Sequence, residues 1–470
     1  MNYLFSDYAV VSNLAARFVR DLQGICLLHT PVLMHQSKND LTGIWMGLEY
    51  HLDDGENQIT PLACRYVFSF QRKEGHWEVK GFEREIFTSL DALSISKSEK
   101  VISEDLPEEG CCDEDYWKVS NLQNHYVYSQ GKQLSAGFAK NIETSYYDVF
   151  LDSVFQGTAE IEDAQAKLNR MIKENGGTLG WYSLSSPEIV VSEDQQTAKG
   201  RWNTYGFVIR GQAYGAEEKT KQLDPFLGIL EQTFVKEDGK WKWKTFHHKR
   251  LVTFSNWKFT PGRAVGSGSP NIGLIQLQKE GEWPESGPLM ESQISGQEFW
   301  EMAQIESWDI SALNSGKSRW FVERYYSRDR DDISSYTASP KAEKRSNYSE
   351  ILKEAEWYES LRRKQGNSQS YHSATTPLIQ ASQDGKRAKA RWLDIGWTIH
   401  GRGMSKGDLP FPVVPVFGMY EHDLVRENGR WKVHDYRFYA LLQMHSWYTD
   451  PDRALGWSSL ENRGQWPMPV

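Results

Sequence analysis

Two carboxylates and one histidine in the last third of the chain have the residue types and spacing needed for proton transfer. Asp394 follows Trp392 by two residues and Asp435 follows Trp431 by four, so each Asp shares a strand face with its Trp if both segments are β-strands. His372 lies upstream of both. A neutral imidazole can remove an acidic proton, and a buried carboxyl can orient the imidazole or donate a proton, so the three residues suit general acid–base chemistry.

The segments that carry these residues occur twice at a constant spacing. Pro187 and Pro377, Trp202 and Trp392, and Trp241 and Trp431 are each 190 residues apart. SSPEIVVSEDQQTAKGRW aligns with TTPLIQASQDGKRAKARW without a gap, and a shorter, more divergent copy, HTPVLMHQSKNDLTGIW, lies near the N-terminus. The sequence therefore predicts three related units, which agrees with 470 residues at about 150 residues per domain.

The copies differ at the positions that could do chemistry. In place of His372, Asp394 and Asp435, the second copy has the uncharged residues Tyr182, Thr204 and Thr245. The first copy has Cys26 in place of the histidine. We therefore expect a charged site in the last unit only.

Each full unit begins with helical segments and ends with strands. EFWEMAQIESWDISALNSGK and IEDAQAKLNRMIKENGG have apolar residues at the three- and four-residue spacing of helices. KEGHWEVKGFER, EDGKWKWKTFHH and ENGRWKVHDYRF each place a turn dipeptide ending in Gly between alternating residues, which is typical of a β-hairpin. Helices followed by strands, without βαβ alternation, predict an α+β fold with a curved antiparallel sheet and helices packed on one face.

The landmarks and changes in composition divide the chain into six segments. We predict a degenerate unit lacking its leading helices at 1–95, an acidic linker at 96–113, a full unit at 114–260, a linker rich in Gly, Pro and Ser at 261–295, a full unit at 296–450 and a tail at 451–470. The three units are called units one, two and three below.

Two strand segments are apolar on both faces. WNTYGFVI of unit two and WLDIGWTI of unit three break the alternation expected of a strand with one face in water. The second face must be buried, so we expect the sheets of units two and three to pack on each other as an internal pseudo-dimer. A homo-oligomer is also possible.

Composition excludes several classes of partner. A formal charge of −9 and no basic run longer than HHKR argue against nucleic acid or an anionic membrane as the main partner. The N-terminus has no signal-peptide pattern and no stretch is long and apolar enough to span a membrane, so we expect a cytoplasmic protein. Four scattered cysteines and the absence of CxxC or HExxH spacing predict no disulfide, no metal and no other cofactor.

The order of motifs resembles a known family. Helices followed by H-x-x-x-x-P-x-I, A-K-x-x-W and E-x-x-x-V-K-E-D-G-x-W-K resemble the SnoaL-like group of the nuclear transport factor two-like superfamily, clearly in units two and three and weakly in unit one. The resemblance implies cone-shaped units, each with a bent sheet and helices around one apolar pocket. The superfamily includes cofactor-independent dehydratases, cyclases and isomerases, and also many members without catalysis.

The resemblance also implies site residues, namely a Tyr on the first helix, an Asp about one turn later and a His before the Pro that opens a strand. His372 matches the His, and Tyr126 of unit two matches the Tyr, whose place in unit three is held by Asp309. The later Asp is absent from both units, which have Gln130 or its neighbours and Asn314 there. In this respect both units depart from the family pattern.

Other polar residues have two interpretations. Arg437 corresponds to His247 of unit two, where the family hairpin often has a second His, and it suits either an anion clamp or a salt bridge. Asp394 and Asp435 could each face a pocket or the solvent. The recurring Trp landmarks are interpreted as core residues.

Two functions remain open from the sequence. The first is a cofactor-free lyase or isomerase acting in unit three on a small, partly apolar, hydroxylated or carbonyl compound, with His372 as base, Asp394 or Asp435 as its partner or the acid, and Asp309 as a carboxyl on the helix. Its substrate-binding residues would be Arg437, Tyr126, His247 and Tyr182. The second is a non-catalytic small-molecule-binding or scaffold protein built from the same units.

Overall fold

The structure is a computed structural model of the chain. It describes residues 5–20, 24–52, 58–89, 93–97, 114–129, 137–139, 145–148, 153–174, 180–210, 222–254, 295–328, 332–337, 344–364, 369–382, 384–399, 411–443 and 447–449. Residues 98–113 and 261–294, which form nearly all of the two predicted linkers, lie outside these residues, as do Gln130 and the predicted tail at 451–470. Cys111 and Cys112 fall in the first of these gaps. Within the described ranges, no helix is both long and apolar enough to cross a membrane.

Unit one has one described helix followed by an antiparallel meander. Its elements are α1 (Phe5–Arg20), β1 (Ile25–Leu28), β2 (Val32–His35), β3 (Asp40–Leu52), β4 (Gln58–Lys73), β5 (His76–Ser89) and β6 (Leu93–Lys97). The strands β1 and β2 both pair with β3, which pairs with β4, and β4 pairs with β5. Cys26 and Cys64 in this sheet are buried free thiols.

Unit two places helices before a longer meander. Its elements are α2 (Glu114–Ser129), β7 (Ser145–Asp148), β8 (Ser153–Gln156), α3 (Gly157–Glu174), β9 (Gly180–Val191), β10 (Thr197–Arg210), β11 (Gln222–Glu237) and β12 (Lys240–Phe254). The strand β6 pairs with both β4 and β12 and so joins the sheets of units one and two.

Unit three repeats the arrangement with its own sheet. Its elements are α4 (Gly296–Ser315), α5 (Ser318–Tyr325), β13 (Ser334–Thr337), β14 (Lys344–Arg345), α6 (Tyr348–Lys364), β15 (Gln369–Tyr371), β16 (Thr375–Ala381), β17 (Arg387–Ile399), β18 (Phe411–Glu427), β19 (Arg430–Gln443) and β20 (Trp447–Thr449). The helix α4 begins with a capping box between Ser295 and Glu298 and ends at Gly316 in the left-handed conformation. The predicted α+β class is confirmed.

The three predicted hairpins form, and their turns explain why. The turn pairs Glu74-Gly75, Asp238-Gly239 and Asn428-Gly429 all have positive φ. This is the backbone conformation of a tight two-residue hairpin turn, which Gly adopts without steric cost. Each hairpin also has a β-bulge, recorded as register shifts at Ser69/Phe70, Thr233/Phe234 and Asp423/Leu424.

The three units pack around a common axis in cyclic order. Helix α1 contacts β9 of unit two, α2 contacts β16 of unit three, and α4 contacts β2 of unit one. One amide side chain of each helix hydrogen bonds to the backbone of the next unit, two residues after that unit's landmark proline. The pairs are Asn13 with Ile189, Asn121 with Ile379, and Gln304 with Leu33. The contacts therefore repeat with pseudo-threefold symmetry.

This symmetry corrects the prediction for unit one. Because α1 makes the contact that α2 and α4 make, unit one keeps its leading helix. Only residues 21–24 separate α1 from β1, so there is no room for the later helices that units two and three carry. Unit one thus lacks the helices that follow the first, rather than those that lead.

The predicted pseudo-dimer of units two and three leaves out unit one, which packs against both of them. The second face of β10 is buried as expected, but Tyr205 there stacks on Tyr50 of unit one, with ring centroids 6.1 Å apart. Tyr371 of unit three donates its hydroxyl to the Gly47 carbonyl of unit one at 2.9 Å. Unit one covers surfaces that we expected the other two units to cover for each other.

Candidate active site in unit three

A histidine–carboxylate pair lies inside unit three. His372 is in the short connection between β15 and β16, and Asp394 is on the neighbouring strand β17. The His372 Nδ1 is 2.7 Å from the Asp394 Oδ2, and the side chains are 11% and 0% exposed. A carboxylate that accepts the Nδ1 proton leaves Nε2 with its lone pair. No described residue hydrogen bonds to Nε2, so this nitrogen can act as a base.

The surrounding backbone fixes the pair in position. The Asn314 side chain, on α4, accepts from the His372 backbone N–H at 2.9 Å and donates to its carbonyl at 2.8 Å. The Ser373 N–H donates to the second Asp394 oxygen at 3.0 Å. A side chain at Gly396 would place its Cβ 3.1 Å from the His372 Nδ1, so the glycine leaves room for the ring.

Two aromatic side chains lie beside His372. The Phe438 and Tyr420 rings lie 5.8 Å and 6.5 Å from the imidazole, both close to perpendicular to it. Burial raises the pKa of the Tyr420 phenol well above its usual range, and Asp394, Glu306 and Asp309 add to the shift. Tyr420 therefore stays protonated and lies between the pair and a second group of acids.

That second group lies between α4 and the sheet. Glu306 and Asp309 are one helical turn apart on α4, and Glu306 Oε2 is 3.0 Å from Nε2 of His422 on β18. The two atoms are within salt-bridge distance but do not form a hydrogen bond. Burial, together with Asp394, raises the Glu306 pKa well above its usual range, and burial lowers the pKa of His422 to about 4. Near neutral pH this pair is a carboxylic acid beside a neutral imidazole.

Asp309 is likewise held in its protonated form. Burial, reinforced by Glu306, raises its pKa well above the usual range, while a hydrogen bond from Tyr436 on β19 opposes the shift. Unit three thus combines a partnered imidazole with buried carboxyl groups that can donate protons at neutral pH.

A family model matches two segments of the chain. The model of the SnoaL-like domain matches residues 114–247 and 340–437. The chain therefore carries SnoaL-like domains. The first match covers most of unit two, and the second covers unit three from before α6 to β19. No curated protein matches the chain.

Several solved structures are similar to about a third of the chain. One is a proposed aromatic ring hydroxylase from Novosphingobium aromaticivorans, with 16% identity over 34% of this chain and 99% of that one and a TM-score of 0.27. Another is a proposed scytalone dehydratase from the same organism, with 13% identity over 33% and 93% and a TM-score of 0.25. A hexachlorocyclohexane dehydrochlorinase shows 9% identity over 32% and 94%, with a TM-score of 0.25.

Asp435 and Arg437 lie apart from the His372 pair. Asp435 hydrogen bonds to Ser334 and, at 2.8 Å, to His434. Arg437 binds Glu421 at 2.6 Å and Asp423 at 2.9 Å. Of the two interpretations offered for Arg437, these contacts match the salt bridge.

The physical reason is the β-bulge in the SnoaL-like hairpin. Val433 pairs with Leu424 but Asp435 pairs with Asp423, so His434 is the extra residue. The strand's alternation shifts by one at that point. As a result Tyr436 and Phe438 contact the site, and the prediction that Asp435 shares the face of Trp431 is wrong. In β17 no such bulge against β18 intervenes between Trp392 and Asp394.

The SnoaL-like unit two has an uncharged interior at the same positions. Thr204 is 3.0 Å from Nε2 of His248, and the Tyr182 ring lies 4.4 Å from that imidazole. Burial lowers the pKa of His248 to about 3. Tyr126 packs edge-on against Trp243 and Phe246, both at 5.1 Å. Here too the bulge shifts the alternation, so His248, and not the predicted His247, contacts Thr204.

The sequence interpretation missed Glu306, His422 and His248. Glu306 lies three residues before Asp309, so helical periodicity could have placed both on one side of α4. His422 follows Gln232 by 190 residues, and that spacing could have identified it as the partner of the helix. Within the described part of the chain, no three His, Cys, Asp or Glu side chains are placed to hold a metal ion.

Proposed function

We propose that unit three is a cofactor-free acid–base catalyst, a lyase or isomerase, that acts on a small, partly apolar compound with a carbonyl or hydroxyl group. The observation that carries the proposal is the 2.7 Å contact between His372 Nδ1 and the fully buried Asp394. A base requires both placement and a partner that fixes its tautomer, and Asp394 provides the second.

In the proposed reaction, His372 Nε2 removes a proton next to the substrate carbonyl. The electron pair of the broken C–H bond moves toward the carbonyl oxygen as an enolate, or expels a hydroxyl group from the adjacent carbon. Tyr420 and the protonated carboxyls of Asp309 and Glu306 are the available donors to the developing oxyanion or the departing hydroxyl. Membership of two segments in the SnoaL-like family supports this class of reaction.

A proton-exchange assay tests the proposal without a known substrate. The full chain is incubated in D₂O with small cyclic ketones and β-hydroxy ketones, while NMR follows loss of the proton next to the carbonyl and absorbance follows formation of the conjugated product. We expect the wild type to catalyse exchange or elimination and His372→Gln to lose it. Tyr182→Phe, which alters the unit-two counterpart, is the matched control.

The alternative, a non-catalytic binding or scaffold protein, is favoured by one observation. Glu306 and His422 are fully buried, so these two residues contribute to the protein interior whether or not a substrate binds. Equal exchange rates for the wild type and His372→Gln would contradict catalysis at this site and favour the alternative.

A further inference from the structure

A cavity lies on the pseudo-threefold axis, away from the unit-three site. The three landmark prolines, Pro31, Pro187 and Pro377, all line it, so every unit contributes to its wall. Its volume is about 40 Å³. A single water needs about 10–15 Å³ on this measure, so the cavity has room for a molecule larger than one water.

The wall of this axial cavity is uncharged. None of the side chains that line it is Asp, Glu, Lys or Arg. Trp45, Trp202, Phe299 and Trp300 give a large part of it an aromatic surface. A charged ligand would lose its hydration without gaining an ion partner, which is unfavourable by many kcal/mol, so a ligand here must be uncharged.

Two buried polar side chains in the wall have no partner among the described residues. His29 is 2% exposed, and neither of its ring nitrogens has a hydrogen bond. Ser12 is 4% exposed, and its hydroxyl oxygen has no hydrogen bond either. Burial lowers the pKa of His29 to about 3, so at neutral pH its ring has one donor and one acceptor. A polar group left unpaired in a protein interior costs about 1–3 kcal/mol, which a bound hydrogen-bonding ligand recovers.

The neighbouring polar groups already have partners. Thr376 accepts from the Leu184 backbone at 2.8 Å, and Ser186 accepts from the Leu28 backbone at the same distance and donates to the Cys26 carbonyl. Asn124 donates to the Pro377 carbonyl at 2.6 Å. These bonds hold the three units together and do not involve His29 or Ser12, which stay available to a ligand.

We propose that the axial cavity is a binding site for a small uncharged molecule with a hydroxyl or carbonyl group beside an apolar part. The polar group hydrogen bonds to His29 and Ser12, and the apolar part contacts the tryptophan and phenylalanine side chains. Because all three units form the wall, the ligand stabilises their association. This site is independent of the function proposed for unit three.

Crystals of the full chain soaked in propan-2-ol, and separately pressurised with xenon, test the proposal. Propan-2-ol has about four heavy atoms and combines the two chemical features, whereas xenon reports apolar space only. We expect propan-2-ol in the axial cavity with its oxygen within hydrogen-bond distance of His29. Ordered water alone at this position, or xenon without the alcohol, would overturn the proposal.

Variants separate recognition by His29 from simple filling of space. His29→Leu is expected to weaken propan-2-ol binding by about tenfold, the loss of roughly one hydrogen bond, while xenon still binds. His248→Leu, which removes a buried imidazole that does not line the cavity, is expected to leave binding unchanged. Should His29→Leu not fold, Ser12→Ala tests the ligand's other hydrogen bond, the one to Ser12. Unchanged alcohol affinity in the folded His29 or Ser12 variant would contradict the proposal.

Discussion

Units two and three hold different polar pairs at the same helix and strand positions. In unit two, Gln232 on β11 donates to Gln123 on α2 at 2.7 Å, and both side chains are buried. In unit three, His422 and Glu306 occupy the corresponding strand and helix positions with their nearest atoms 3.0 Å apart. In unit two, a hydrogen bond between two amides that do not titrate joins helix and sheet, whereas unit three places an acid beside an imidazole at the same positions.

A second set of positions shows the same contrast. Where unit three has His372 beside Asp394, unit two has Tyr182 and Thr204, and the imidazole comes from His248 on another strand. The fold needs the interior polar groups to be paired, and several residue combinations satisfy that need. Acid–base chemistry also needs a partner that orients the imidazole, and of units two and three only unit three places a carboxylate there among the described residues.

Unit one has a third combination of residues at these positions. Glu49 lies opposite Cys26 in the sheet, where unit three has Gly396 near His372 and unit two has Gly206 opposite Tyr182. The larger Glu49 side chain fills the space beside the smaller Cys26, and Tyr66 and Arg84 bind its carboxylate at 2.7 and 2.8 Å. Donors within unit one satisfy the hydrogen bonding of the buried Glu49 carboxylate, which fits a structural role for this residue.

The largest effect that separates unit three from unit two is expected for a substitution of Asp394. We expect Asp394→Asn to lower kcat/KM for the exchange reaction by about 10²–10⁴, the usual contribution of a positioned acid or base, because the amide can hold the imidazole in the wrong tautomer. Asp435→Asn is the control, since that carboxylate lies on the other side of the bulge. Similar losses of kcat/KM in both variants would mean that the His372–Asp394 pair has no particular role in the reaction.

The second test replaces the Glu306–His422 pair of unit three with the two glutamines found at these positions in unit two. We expect Glu306→Gln and His422→Gln each to lower the free energy of unfolding by about 1–3 kcal/mol, because each leaves a mismatched polar group in the core. The double variant should lose less than the sum, since two glutamines can pair as Gln123 and Gln232 do. Urea unfolding measures the cycle, and strictly additive losses would contradict the equivalence.

The pH dependence of stability should also differ between the pairs. The raised Glu306 pKa means that the folded state holds a proton that the unfolded carboxyl, near its ordinary 4.5, has lost, so stability falls as pH rises above that value. The lowered His422 pKa, about 4 against 6.5, makes stability fall as pH drops from 6.5 toward 4. The Glu306→Gln/His422→Gln variant should lose both slopes in urea titrations between pH 4 and 8. Unchanged slopes would show that other groups control the profile.

The smallest effect is expected at Tyr182, the unit-two counterpart of His372. Tyr182→Phe keeps the ring that packs on His248 and removes only the hydroxyl. We expect an exchange rate within about twofold of the wild type and a change in unfolding free energy below roughly 1 kcal/mol, typical of a mild substitution. A large loss of rate would move the proposed chemistry to unit two.

Much of the local structure is determined by the sequence itself. The turn dipeptides ending in Gly require hairpins, because their positive φ fits a tight turn. The period of two along β17 correctly puts Asp394 on the interior face with Trp392. The 190-residue spacing aligns units two and three, and through that alignment the contrast between His372 and Tyr182 is visible before any coordinates.

Other features depend on tertiary structure. The bulge at His434 shifts the alternation of β19 by one residue, which turns Asp435 away and brings Phe438 to His372; such a bulge depends on pairing with β18 and leaves no clear mark in a single strand. Glu306 and His422 are 116 residues apart in the chain, and only the packing of α4 on the sheet brings them together. The cyclic contacts of Asn13, Asn121 and Gln304 likewise join distant segments, because an amide binds whichever backbone the fold presents to it.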